Sequence, residues 1–78
     1  SSEQNNVKFR RSLYFVKDVQ KGETITDNHV KSIRPGYGVA PKYINSVVGS
    51  LAKMKIIRGE AITPDLISEK IKNWNEYF

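Results

Sequence analysis

Hydrophobic residues in this chain of 78 residues are concentrated in two short stretches, each followed by a polar turn. Residues 13–19 and 51–57 carry the aliphatic and aromatic side chains that strands favour. A basic-Gly-Glu segment follows each stretch and predicts a tight turn, because glycine adopts positive φ without steric cost. Thr26 and Thr63 come next, where their hydroxyls are expected to accept backbone hydrogen bonds as N-caps of short helical turns.

The two stretches belong to an internal duplication. Residues 21–30 (KGETITDNHV) align with residues 58–67 (RGEAITPDLI) at an offset of 37 positions. Gly, Glu, Ile and Thr are identical in the two copies, and Val19 and Ile56 occupy equivalent positions upstream. The duplication predicts two copies of one unit, in which the repeated glutamates of the turns have a structural role.

An irregular loop and a short helix separate the two copies. Residues 33–41 (IRPGYGVAP) contain two prolines and two glycines, and Pro35 disfavours a helical conformation at the residue before it. Residues 41–48 predict a short helix that Gly49 terminates. Because no helix is long enough to organise a bundle, the pattern favours a compact, mostly β fold with short helical turns.

The two ends of the chain differ from its centre. Residues 1–8 are polar and are interpreted as a linker or a vector-derived remnant. Residues 68–78 are interpreted as a helical extension or an irregular tail. The helical alternative rests on hydrophobic residues that recur at helical spacing: Ile67, Ile71, Trp74 and Phe78.

Composition and charge narrow the class of protein. The hydrophobic fraction of 38% is too high for a disordered chain, and the absence of cysteine excludes disulfides and thiolate metal sites. The net charge of +5 invites a nucleic-acid or membrane partner. However, the basic residues are spread along the chain, and their longest run is the pair Arg10-Arg11. A solvated basic surface is therefore expected, with neither nucleic acid nor membrane as partner. Without an apolar run of about 20 residues or a signal peptide, the cytoplasm is the expected location.

Candidate catalytic side chains are few. The single histidine, His29, falls in a predicted helical turn, where a structural role is favoured over catalysis. No cysteine nucleophile, no distinctive Ser/His/Asp spacing and no convergent set of metal ligands is visible. The segment 36–38 (GYG) lacks the glycine spacing of a phosphate-binding loop. We therefore expect no catalytic residue and no metal ligand in this chain.

Arg34 is the side chain with the clearest potential for binding. It precedes Pro35 in a glycine-containing loop, and its planar guanidinium suits ligands rich in oxygen. Tyr37, three residues on, is placed to stack on a sugar ring or to close a pocket. Residue chemistry alone does not distinguish this role from that of a surface arginine in an ordinary Pro/Gly loop.

Four segments together resemble one family: residues 9–14 (FRRSLY), 21–23 (KGE), 33–38 (IRPGYG) and 58–63 (RGEAIT). The chain is similar over residues 9–67 to the C-terminal SAF, or antifreeze-like, domain of bacterial N-acetylneuraminate (sialic acid) synthases. The same resemblance extends to the related pseudaminic and legionaminic acid synthases. It implies a β-clip fold, in which short strands and helical turns are related by pseudo-twofold symmetry.

The resemblance also implies a function. In that family a TIM barrel precedes the SAF domain and condenses phosphoenolpyruvate with an N-acylated amino sugar such as N-acetylmannosamine. This carbon–carbon bond-forming transferase reaction uses a divalent metal, Mn or Mg, held in the barrel. The SAF domain of one subunit lies over the barrel of the other in a domain-swapped homodimer. The resemblance thus implies a capping domain without a cofactor, whose substrate-binding residues are Arg34, Pro35, Gly36, Tyr37 and Gly38.

Other functions of SAF domains stay open at this point. Related modules act as chaperones or structural modules in flagellar and pilus assembly, although these normally carry export signals. Ice-binding antifreeze proteins share the fold, but they present flat, weakly charged faces, and 13 Lys and Arg residues disfavour that function here. The sequence does not choose among neuraminic, pseudaminic and legionaminic products.

Overall fold

A computed structural model describes residues 9–72 and residue 74. Strands β1 and β2 form a two-stranded antiparallel sheet, with Ser12 opposite Ile33 and Phe15 opposite Val30. The described elements are β1 (Ser12–Phe15), a 3-10 turn (Asp27–His29), β2 (Val30–Ile33), a second 3-10 turn (Pro41–Tyr43), α1 (Ile44–Val47) and a third 3-10 turn (Pro64–Leu66). The predicted class, mostly β with short helical turns, is confirmed.

Both strand predictions were too long. Only the beginning of residues 13–19 forms a continuous strand, and residues 51–57 pair through single bridges. These isolated antiparallel bridges join Tyr14 to Ala61, Val19 to Ile56, Thr24 to Leu51 and Ala52 to Ile67. Outside the β1–β2 ladder, the described residues therefore pair through single bridges and form no continuous ladder.

The internal duplication is confirmed by the hydrogen bonds. Val19 and Ile56 each donate a backbone N–H to the other's carbonyl, at 2.9 and 2.8 Å, and the pseudo-twofold axis passes between them. The surrounding bonds occur in pairs that are related by the offset of 37 residues. The N–H of Gly22 donates to the carbonyl of Ala52, and the N–H of Gly59 donates to the carbonyl of Phe15, both at 2.8 Å.

The two repeated turns have the same construction. Gly22 and Gly59 have φ angles of 83° and 99°, in the left-handed region that the sequence predicts for them. Glu23 folds back so that its Oε1 accepts the N–H of Gln20 at 2.8 Å. In the second copy, Glu60 accepts the N–H of Ile57 at 3.1 Å. The structural role predicted for the two glutamates is therefore confirmed.

The N-cap predictions hold only in part. Thr26 and Thr63 both occupy the N-cap position with extended backbone, as expected. At Thr26 the backbone N–H donates to Nδ1 of His29 at 3.0 Å, which closes the turn. The Thr63 hydroxyl, however, donates to the carboxylate of Asp65 and accepts no backbone N–H, so the role predicted for its side chain was wrong. The hydroxyl proton is donated to an ionised carboxylate, which is a strong acceptor.

The core lies between the two copies and draws equivalent residues from each. Among the described residues, Ile25 and Ile62 are fully buried at matching positions of the duplication, as are Val19 and Ile56. The remaining buried cluster consists of Leu13, Phe15, Val30, Val39, Val47, Ala52, Leu66, Ile67 and Ile71, with Tyr43 and Trp74 packed against it. Because each copy covers the other's apolar face, the core forms only when the copies associate.

The segment between the copies contains the predicted helix in a shorter form. The 3-10 turn of Pro41–Tyr43 continues into α1, and Gly49 ends it with a φ angle of 94°. Beyond the second copy, residues 68–72 and 74 form bends and turns, and no helix occurs in them. Phe78 and residues 1–8 lie outside the described residues, so the expectations for both ends stay predictions. In the described part of the chain, no helix is long and apolar enough to cross a membrane.

Because the two turns are equivalent, adding a methyl group to the glycine of either turn should lower the free energy of unfolding by a similar amount. In the variants Gly22→Ala and Gly59→Ala, no atom lies within 4 Å of the added Cβ, so the main cost is the left-handed backbone. That cost is roughly 1–2 kcal/mol for each variant. Urea unfolding of both variants measures it. A loss several times larger in one variant than in the other would contradict the structural equivalence of the turns.

Candidate functional site

Arg34 begins the loop that leaves β2, and its side chain is exposed. Its Nε donates to the carbonyl of Phe9 at 2.7 Å, and its peptide bond to Pro35 is cis. The contact restricts the orientation of the guanidinium and leaves the edge formed by its two terminal nitrogens for other partners, because the group is planar.

The carbonyl of Pro35 is the point at which the loop is attached to β1. Three donors converge on it: the hydroxyl of Tyr14 at 2.7 Å, the hydroxyl of Ser12 at 3.2 Å and the N–H of Tyr37 at 3.1 Å. Ser12 and Tyr14 are two residues apart on one strand, so both side chains lie on the same face of β1. The residue that follows Arg34 is therefore held by two side chains of the sheet.

Ser12 also holds the far end of the loop. Its Oγ accepts the N–H of Gly38 at 3.0 Å while its own proton is donated to Pro35. Ser12 is fully buried, so both functions of its hydroxyl are satisfied inside the protein. No role for Ser12 or Tyr14 was predicted from the sequence. The available signal was a pair of hydroxyl residues at strand spacing, with Ser12 just before the predicted strand of residues 13–19 and Tyr14 inside it.

Gly38 is required by close backbone contact. A Cβ at this position would lie 2.6 Å from the carbonyl oxygen of Leu13 and 2.9 Å from both the nitrogen and the oxygen of Ile62. The following residue, Val39, donates to Ile62 and accepts from Leu13, which ties the end of the loop to both copies of the duplication. Only glycine fits between two backbones at this distance.

Three exposed apolar residues adjoin Arg34 along the chain or through its hydrogen bond, and we call them the apolar rim: Phe9, Ile33 and Tyr37. Phe9 provides the acceptor for Arg34, Ile33 precedes Arg34 in the chain, and Tyr37 ends the turn after Pro35. The exposed fractions of Phe9 and Tyr37 are 71% and 63%.

The predicted site residues thus lie together but differ in exposure. Arg34 and Tyr37 are exposed, Pro35 is half-buried, and Gly36 and Gly38 are buried. The side chains of Arg34 and Tyr37 are therefore available to a ligand, while Pro35, Gly36 and Gly38 shape the loop that presents them.

His29 occupies a structural position. Its Nδ1 accepts the N–H of Thr26, so the ring proton belongs on Nε2, which lies 3.5 Å from Oε2 of Glu23. These contacts link the first turn to the 3-10 turn that follows it. The preference for a structural role over a catalytic one is consistent with this geometry. Within residues 9–72 and 74, no three His, Asp or Glu side chains converge as metal ligands would.

The basic side chains are distributed over the surface. Every described Lys and Arg is exposed except Arg10, which is half-buried. The charge therefore covers the domain broadly, in agreement with the solvated surface expected from the sequence.

The pseudo-twofold core and the anchored loop define a small β-clip domain whose loop presents Arg34 at the surface. The chain belongs to the SAF domain family, which matches residues 10–68.

Curated relatives extend the comparison. A pseudaminic acid synthase from Helicobacter pylori is 35% identical over 63 residues, which are 81% of this chain and 18% of that protein. A pseudaminic acid synthase from Campylobacter jejuni is 43% identical over 54 residues, 69% of this chain and 16% of that protein. An N,N'-diacetyllegionaminic acid synthase from Legionella pneumophila is 36% identical over 53 residues, 68% of this chain and 15% of that protein. The chain therefore spans less than a fifth of the length of these relatives.

The close contacts of Gly38 predict a large effect of Gly38→Ala. The added methyl would overlap backbone atoms of Leu13 and Ile62, which cannot rotate away. We expect the free energy of unfolding to fall by an amount near the upper end of the roughly 1–3 kcal/mol that overpacking costs. This corresponds to a fall in Tm of about 12 °C or more for a domain of this size. Thermal unfolding measures it, with Gly22→Ala as the control that adds a methyl in open space. A fall in Tm no larger than that of Gly22→Ala would show that the loop can move away from β1.

Proposed function

We propose that this chain is the substrate-capping domain of a nonulosonic (sialic) acid synthase. Such an enzyme condenses phosphoenolpyruvate with an N-acylated amino sugar. The family match and three relatives named as pseudaminic or diacetyllegionaminic acid synthases support this proposal. Because the chain corresponds to at most 18% of these relatives, most of their length is available for a separate catalytic domain.

Arg34 is the residue proposed to bind the amino sugar. The observation that carries this proposal is the position of its guanidinium, which is exposed yet held by the carbonyl of Phe9 on one edge. The other edge offers N–H donors, which suit the hydroxyl and N-acyl oxygens of a sugar. A guanidinium that is already oriented loses less side-chain entropy on binding than a freely rotating one.

The apolar rim is proposed to pack against the TIM barrel of the partner subunit. Phe9, Ile33 and Tyr37 are all exposed in the isolated chain. Covering them would remove apolar surface from water and would also exclude water from the hydrogen bonds of Arg34. Pro35, Gly36 and Gly38 would then form the rigid part of a lid over the sugar.

The catalytic groups are proposed to lie outside this domain. The barrel would hold the divalent metal, Mn or Mg, and the residues that activate the two substrates. The contribution of the present chain would be to bind and orient the acceptor sugar and to exclude water.

The proposed role of Arg34 is tested in the full-length synthase that carries this domain. Arg34→Ala removes a charge-assisted hydrogen bond worth roughly 1.5–3 kcal/mol, so kcat/KM should fall about tenfold to 150-fold. Arg34→Lys should recover only part of this loss, because an ammonium group cannot reproduce the planar fork. Steady-state kinetics with the acceptor sugar as the varied substrate provide the measurement.

The matched control is Arg58→Ala. Arg58 is also exposed, but it lies in the turn of the second copy, next to the end of β1 that is farther from the loop. The control should retain the kinetics of the unchanged enzyme, and both variants should remain dimeric in light scattering. Unchanged kinetics in Arg34→Ala, with an active parent enzyme, would refute the role of this residue.

A further inference from the structure

We infer that Ser12 and Tyr14 are positioning residues for Arg34, acting through the carbonyl of Pro35. This inference deepens the proposed function, since it rests on Arg34 as the group that binds the sugar. The two hydroxyls do not themselves reach the exposed face of the loop. They fix the backbone from which the guanidinium extends.

The contact of Tyr14 is the shorter of the two. Its hydroxyl donates to the Pro35 carbonyl at 2.7 Å, and the exposed fraction of the whole residue is 9%. Water has little access to replace this hydrogen bond, so removing the hydroxyl leaves the carbonyl with weaker partners. The bond spans 21 residues of sequence and therefore connects the loop to the sheet directly.

Ser12 fixes the length of the loop as well as its position. One hydroxyl donates to the carbonyl of Pro35 and accepts from the N–H of Gly38. The two backbone groups are therefore held at a set separation, with the exposed Tyr37 between them. Arg34 is bonded directly to this clamped segment, and its other contact is the carbonyl of Phe9.

The duplication provides an internal comparison that separates this role from ordinary packing. At the offset of 37 residues, Gly49 stands where Ser12 stands and Leu51 stands where Tyr14 stands. Neither residue has a side-chain hydroxyl, yet the second copy forms the equivalent bridges around the axis. The repeat unit therefore does not need the hydroxyl pair. The pair occurs in the copy that carries the Arg34 loop.

Loss of the clamp should affect the two substrates of the enzyme differently. A loop that is free to shift lets the guanidinium sample positions in which its donors miss the sugar, which weakens binding of the acceptor. The proposed mechanism gives the loop no contact with phosphoenolpyruvate. Loss of either hydroxyl should therefore raise the KM of the acceptor sugar and leave the KM of phosphoenolpyruvate unchanged.

The experiment compares Tyr14→Phe and Ser12→Ala in the full-length synthase. We expect the acceptor KM to rise up to about tenfold in each variant, the range of one lost hydrogen bond, with the KM of phosphoenolpyruvate retained. Ser50→Ala is the control, because Ser50 is a second buried serine whose Oγ bonds to Ser68 and to the N–H of Glu69. It should lose comparable stability without a selective change in the acceptor KM.

A double-mutant cycle distinguishes positioning from general destabilisation. If Tyr14 acts through Arg34, then Tyr14→Phe should have little further effect in an Arg34→Ala background. Effects that simply add, or a change in both KM values together, would overturn the inference. Tyr14→Phe keeps the ring and its packing, so it covers the case in which Ser12→Ala fails to fold.

A measurement that does not depend on activity keeps the two proposals separable. Hydrogen exchange at the Gly38 amide should accelerate in Ser12→Ala and stay unchanged in Ser50→Ala, because the Oγ of Ser12 accepts this N–H, whereas the Oγ of Ser50 bonds to Ser68 and Glu69. Unchanged exchange in Ser12→Ala would overturn the clamp even in an active enzyme. Conversely, Gly38 exchange could be faster in Ser12→Ala while Arg34→Ala keeps normal kinetics. That result would support the clamp and refute the function proposed for Arg34.

Discussion

The exchange of backbone hydrogen bonds across the pseudo-twofold axis is the constraint on which the rest of the molecule depends. Val19 and Ile56 bond to each other, and the turn glycines bond to carbonyls of the opposite copy. Buried backbone groups must be paired, so neither copy can satisfy its own backbone alone. The core is equally shared, since Ile25 and Ile62 are buried at equivalent positions. A short chain without cysteine thus obtains a defined fold from two interlocked units, although its only continuous sheet among the described residues has two strands.

A symmetric framework of this kind provides rigidity, and the asymmetric parts provide the site. Pro35 to Gly38 have no counterpart in the alignment of the two copies, and β1 carries hydroxyls where the second copy has Gly49 and Leu51. The hydroxyls bind a loop that leaves the repeat unit, and Gly38 brings the loop back between the two copies. The loop is therefore supported at both ends by the most constrained part of the fold, while the side chains of Arg34 and Tyr37 stay in solvent.

Local chemistry explains which features could be predicted from the sequence. Gly22 and Gly59 predict their turns because glycine itself adopts positive φ without steric cost. The offset of 37 residues between them indicates the duplication. Strand lengths were not predictable, because each bridge depends on a partner distant in sequence. The roles of Ser12 and Tyr14 were missed for a similar reason: their acceptor is a backbone carbonyl more than 20 residues away, and a carbonyl has no sequence signal.

Because Arg34 is exposed, its proposed contact with the sugar would depend on the proposed catalytic domain. An exposed guanidinium exchanges hydrogen bonds with water, so a sugar oxygen gains little by replacing that water. The same contact strengthens when water is excluded, because the surrounding dielectric falls. The apolar rim of Phe9, Ile33 and Tyr37 is suited to bring about this exclusion when a partner covers it. The hydroxyl clamp would then matter most in the covered state, where a displaced guanidinium has no water to replace the bonds it fails to make with the sugar.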